Sequence, residues 1–144
     1  MDLESFIRAP RRWQWGGMPV AVDGVPMPGE DCTTFVGSWV QEVSGIDPAV
    51  DLRGTYSTAE EAAEVIAREG GIVAIGDVRL GRLGWQRVDM PTDGDIGIVT
   101  TVSGVDLTCK EIPAIRFGPL WALMGPRGAM VKKLDWSGVA WRAP

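Results

Sequence analysis

The sequence, 144 residues long, contains no histidine. Histidine is the side chain that most often exchanges protons near neutral pH, so any nucleophilic hydrolase chemistry here must find another acid or base. Cysteine is scarce as well, with two in the chain, Cys32 and Cys109. Two thiols cannot build a disulfide scaffold and these lack metal-ligand spacing, so no structural metal and no cofactor is expected. Basic side chains are outnumbered, 14 Lys and Arg against 19 Asp and Glu, for a net charge of −5. That balance offers no basic face for nucleic acid and leaves protein or cell-wall material as the expected partners. Apolar runs are short and broken by Gly, Pro or charge, far below the roughly 20 residues of a bilayer-spanning helix, so no membrane span is expected. Met1-Asp2-Leu3-Glu4-Ser5 has neither the basic nor the apolar region of a secretion signal, so the chain is expected in the cytoplasm of the cell that makes it.

What is present is ordinary for a folded domain: 45% hydrophobic and 23% charged residues. The length supports one core and a radius of gyration of roughly 14 to 15 Å, so residues 1–144 are expected to form a single domain. Its first half, to about residue 71, reads as helical. Asp2 can cap a short helix over Leu3 to Arg8 that Ala9-Pro10 stops. From Arg11 to Glu30, glycines and prolines with Trp13 and Trp15 predict an irregular path, on which Arg11-Arg12 could meet an acidic partner or stack on aromatic rings but reads first as a solvated pair. Asp31 then stands at an N-cap, and Cys32, Phe35, Val36, Trp39, Val40 and Val43 form one apolar stripe up to Gly45. Ser57-Thr58-Ala59-Glu60 has the spacing of a capping box, opening a helix with a face of Ala59, Ala62, Ala63, Ile66 and Ala67 that Gly70-Gly71 ends.

After Gly71, over residues 72–144, the pattern reads as strands. Residues 96–102 and 105–109 flank Ser103-Gly104, a two-residue hairpin turn that would set Ile98 against Cys109 and Thr100 against Leu107. Further strands are expected over 114–117, 120–124, 129–133 and 139–142. Helices first and strands second predict an α+β fold, with N-terminal helices packed against a C-terminal antiparallel curled sheet. Of the seven tryptophans, six lie outside the α-helical stripe, and packing explains most of them, with some left for interfaces.

Cys32 is the candidate for chemistry. At the first turn of a helix, backbone amides and the macrodipole favour the thiolate. It also begins the apolar stripe, which fits a core cysteine, and Asp31 beside it disfavours the thiolate. Of the acidic residues Asp93, Asp95 and Asp106, turn and strand-end placement explains the first two, and no metal-ligand spacing is present.

The run Asp31-Cys32-Thr33-Thr34-Phe35-Val36-Gly37-Ser38-Trp39-Val40 resembles the Asp-Cys helix opening of the NlpC-type cell-wall cysteine peptidases, which are papain-like. Gly94-Asp95-Ile96-Gly97-Ile98-Val99 resembles their Gly-Asp step into the sheet. More closely, the chain is similar to a phage and prophage family of short tail-associated proteins related to those peptidases. That likeness runs through Trp15-Gly16, Asp31-Cys32, Gly45-Ile46-Asp47-Pro48, Arg53-Gly54-Thr55-Tyr56, Gly70-Gly71, Gly94-Asp95 and Ala140-Trp141-Arg142.

The resemblance implies a papain-like NlpC-type fold and a virion structural protein of the tail tip or baseplate. Such a protein is assembled in the host cytoplasm among other tail proteins, and serves tail assembly and host attachment or genome delivery. It also implies a place for the missing histidine, at the start of a strand. Here that place falls within Ile112, Pro113 and Ala114, or alternatively near Val105, where Asp106 is the ionisable neighbour. Losing a member of a catalytic triad costs several orders of magnitude in turnover, so vestigial catalysis is expected. The competing expectation is a working peptidase or amidase on peptidoglycan, with Cys32 as nucleophile and Asp95 or Asp106 in place of histidine.

Overall fold

A computed structural model describes residues 1–102 and 109–144. In chain order the elements are α1 (Leu3–Arg8), β1 (Arg12–Trp13), β2 (Val20–Val22), β3 (Val25–Met27), β4 (Gly29–Glu30), α2 (Cys32–Ser44), α3 (Ala59–Arg68) and α4 (Ile72–Gly81). They continue with β5 (Gln86–Arg87), β6 (Ile96–Val102), β7 (Cys109–Phe117), β8 (Leu120–Gly125), β9 (Gly128–Lys132) and β10 (Asp135–Arg142). The fold is α+β, built on a six-stranded sheet in the order β5-β10-β6-β7-β8-β9, with every pairing antiparallel. Strands β6 to β9 form the expected meander. β10 then returns to the far side of β6, through a register shift between Trp136 and Ala140.

Side-chain alternation along the strands divides the buried residues of the sheet between two clusters, and Ala49, Leu52, Tyr56 and Val65 form a third. Ile96 and Ile98 of β6, Ile115 of β7, and Ala122 and Met124 of β8 meet Phe35, Val36, Trp39 and Val40 of α2. The residues of opposite parity, Val99, Ile112, Ala114, Trp121 and Leu123, gather with Leu134 and Trp136. α2 has the caps its sequence predicts: the Asp31 side chain at one end and left-handed Gly45 at the other. Val43 departs from the expected stripe and is exposed, as are Ile46 and Val50 just beyond the helix.

Several expectations are corrected. The segment after Gly71 is helix α4, although its β-branched residues suit a strand. Tertiary packing decides: Gly76 of α4 lies against the Trp141 ring, where an added Cβ would come within 2.3 Å of ring carbon. The cap of α3 is Thr58 with Glu61, one residue later than the capping-box reading, and the buried side chain of that helix is Val65. The stretch from Arg11 to Glu30 contains two small sheets, a parallel pair of β1 with β4 and a hairpin of β2 with β3. Arg11 is not solvated. It is 6% exposed, with its guanidinium 4.4 Å from the Phe6 ring centroid and 4.9 Å from that of Phe35.

The β6–β7 register also differs, with Ile98 opposite Pro113 and Thr100 opposite Glu111. Ile98 is therefore four positions away from its expected partner Cys109. An even shift keeps every side chain on its original face, so hydrophobic alternation could not distinguish the two pairings. The Ser103-Gly104 turn, Leu107 and Asp106 lie outside the described residues. No helix among the described residues is long and apolar enough to cross a membrane.

Candidate functional site

The N-terminus of α2 is where separate parts of the chain converge. Asp31 has extended backbone, and its Oδ1 accepts from the amides of Thr33 at 3.0 Å and Thr34 at 2.9 Å, while Thr34 Oγ1 accepts from the Asp31 amide. Oδ2 faces the other way. It accepts from the Gly16 amide at 3.0 Å and from the Tyr56 hydroxyl at 2.5 Å. Gly16 fits because its φ of +83° suits glycine and a Cβ would lie 2.5 Å from the Tyr56 carbonyl oxygen. Burial, reinforced by the negative charge of Asp31, pushes the Tyr56 hydroxyl well above the usual phenol range. Tyr56 therefore remains a donor, and all four donors to Asp31 come from within the protein.

Beside this cap, Arg53 fills its whole guanidinium. Nε donates to Asp47 Oδ2 at 2.6 Å, Nη1 to Glu30 Oε1 and the Gly17 carbonyl, and Nη2 to Ser38 Oγ and the Thr34 carbonyl. One side chain thus ties β4, α2 and the loop after it together. Glu30, which is 4% exposed, also accepts from Ser38 Oγ. Burial pushes its carboxyl up to about 7 against the opposing pull of Arg53, Ser38 and Arg11.

Cys32, half-buried, follows the cap directly and packs against the cluster that contains Ile112. It lines a cavity of about 140 Å³ whose walls include Trp13, Trp15, Tyr56, Ile112 and Pro113. Trp13 and Trp15 stack edge to face at 5.0 Å. Two of the three residues expected opposite the cysteine are therefore brought to it. The third, Ala114, belongs to the same cluster but is not on the cavity wall.

The structure adds Glu111, an exposed carboxylate of β7 that lines the same cavity. Sequence reasoning missed it. A strand beginning at Ala114 excluded residue 111, whereas the observed strand runs from Cys109 and puts Glu111 two positions before Pro113, on the same side of the strand.

Asp95 is placed elsewhere, outside the walls of that cavity. Its carboxylate, 3% exposed, accepts from the Thr92 amide at 2.8 Å and from Arg142 Nη2 at 2.8 Å, pinning the end of β10 to the start of β6. Gly94 beside it accepts from the indole of Trp39 at 2.9 Å. Asp106 lies outside the described residues. Among the described residues, no three cysteine or acidic side chains gather as metal ligands would.

Of the ordered motifs, Trp15-Gly16, Asp31-Cys32, Asp47 and Arg53 to Tyr56 meet around the start of α2. Gly94-Asp95 meets Arg142 at the other group, and Trp141 packs on α4. Comparison with curated proteins finds no match, and comparison with solved structures finds none either. One family model, described as a domain of unknown function (DUF6950), matches residues 8–143. With nearly its whole length matched, the chain belongs to the DUF6950 family.

Proposed function

We propose that this chain is a structural component of a phage tail tip or baseplate, built on a papain-like NlpC-type scaffold that no longer turns over substrate. It acts in tail assembly and in host attachment or genome delivery. One observation carries the loss of turnover: in a chain without histidine, the strand residues that share the cavity with Cys32 include Ile112 and Pro113, neither of which can titrate. Amide cleavage needs a proton for the departing nitrogen as well as a nucleophile. The phage assignment is supported by the ordered motif resemblance, whose segments meet at the start of α2 and at the Asp95–Arg142 pair.

Two measurements test the reading. Purified protein incubated with peptidoglycan should release no fragments, and release abolished by Cys32→Ala would overturn the loss of catalysis. Mass spectrometry of purified phage particles should find the chain in the tail fraction; its absence from particles would overturn the assembly role.

A second reading is favoured by Glu111, a carboxylate on the wall of the Cys32 cavity. There the chain is an active peptidoglycan peptidase or amidase: the Glu111 carboxylate takes the Cys32 thiol proton as the sulfur attacks the carbonyl, gives it to the nitrogen as the C–N bond breaks, and water then hydrolyses the thioester. It predicts rapid alkylation of Cys32 by iodoacetamide near neutral pH and hydrolysis that Glu111→Gln removes. A thiol that reacts only after unfolding counts against it.

A further inference from the structure

The cavity beside Cys32 is partly open to solvent and measures about 140 Å³, room for several water molecules. It persists because α3 presents Ala59, Ala62 and Ala63 to it, at helical positions where leucine would occupy the space. A smaller neighbouring pocket of about 50 Å³ lies against α4 and the sheet, and the two have Thr33, Leu52, Ile72, Ile75 and Pro113 in common. The walls are therefore apolar over most of their extent.

Few polar side chains line it. Asp31 and Tyr56 engage each other, while Cys32 is half-buried and Glu111 is exposed. An apolar cavity of about 150 Å³ takes up a molecule the size of benzene. We propose that this cavity binds a small molecule with one compact apolar group, a six-membered ring or a branched alkyl, and one polar end directed to half-buried Cys32 and exposed Glu111. The site does not rest on the tail assignment and stands or falls separately from it.

Titration of the full chain with benzyl alcohol and with benzene, followed through the methyl NMR signals of Ile66, Ile72 and Ile75, tests it. Saturable shifts are expected for both, with benzyl alcohol binding several-fold more tightly. Ala62→Leu should weaken both at least tenfold while leaving the circular dichroism spectrum unchanged. Ala63→Leu provides the same test if the first variant fails to fold. Shifts that do not saturate up to the solubility limit, or binding that survives the filling substitution, would overturn the site. Equal affinity for the two probes would overturn the polar end.

Discussion

Tyr56 reaches across 25 residues of sequence to donate its hydroxyl to Asp31 Oδ2 at 2.5 Å, so the loop before α3 is fastened to the cap of α2. The bond is buried, and its acceptor also supports Gly16 and the first turn of the helix. Hydrogen bonds to charged groups contribute about 1.5 to 3 kcal/mol, and a buried acceptor left partly unsatisfied adds to the loss. Tyr56→Phe should therefore destabilise the protein by about 2 kcal/mol in urea unfolding, with the ring packing on Leu52 and Val65 retained. A change below about 0.5 kcal/mol would show that Asp31 holds the helix start without the tyrosine.

Glu30 gives the fold a pH dependence with a definite sign. Its ordinary value is 4.5, and burial pushes the folded carboxyl up to about 7. Between those values the folded state holds the proton more tightly than the unfolded chain does. This stabilisation is complete below about pH 4.5 and is lost as pH rises through about 7. Glu30→Gln cannot titrate, so the stability of the wild type relative to that variant should fall by up to about 3 kcal/mol between pH 4.5 and pH 8. A difference that stays flat or rises would mean that Arg53 outweighs burial.

Arg53 shows why the neighbouring network resists conservative change. All of its donor nitrogens are engaged, with partners on β4, α2, the Gly17 loop and Asp47. Lysine offers three donors from a single point and cannot reproduce a planar fork. Arg53→Lys is therefore expected to cost about 2 to 4 kcal/mol, because Glu30 and Asp47 would keep their burial and lose a partner. Thermal unfolding that matches the wild type within about a degree would contradict this account.

The parts of this architecture legible in the sequence are those set by neighbours a few residues apart. Asp31, the stripe from Phe35 to Val40 and Gly45 define α2, because cap, periodicity and stop signal all lie within one short window. The strands of β8 and β9 were legible for the same reason, each being bounded by a turn. What escaped depends on distant partners. Arg11 is buried because Phe6 and Phe35 enclose its guanidinium; aromatic stacking is open to the run Arg11-Arg12, but the adjacent rings are Trp13 and Trp15 and only the fold brings Phe35 to it. The register of β7 escaped because a shift of four leaves the side-chain faces unchanged, and with the register went Glu111. At the site, the cysteine and its apolar strand neighbours were visible, whereas the bond from Tyr56 to Asp31 needed the fold.

The helix α4 was the largest element misread, and its glycine explains how it is held. Gly76 faces the six-membered part of Trp141, where a Cβ would stand 2.3 to 2.9 Å from three ring carbons. The Trp141 ring, 2% exposed, cannot retreat easily, because its indole nitrogen donates to Asp77 Oδ1 at 3.0 Å and its ring belongs to the main core. Helical propensity alone would make Gly76→Ala stabilising by about 1 kcal/mol. Overpacking opposes it with a cost of about 1 to 3 kcal/mol, and the contact distances make that cost the larger effect. Gly76→Ala should thus lower stability in chemical denaturation, while Gly81→Ala in the same helix, where a Cβ meets nothing within 4 Å, should raise it slightly. If both substitutions stabilise, α4 does not lie as close to β10 as the contact between Gly76 and Trp141 requires.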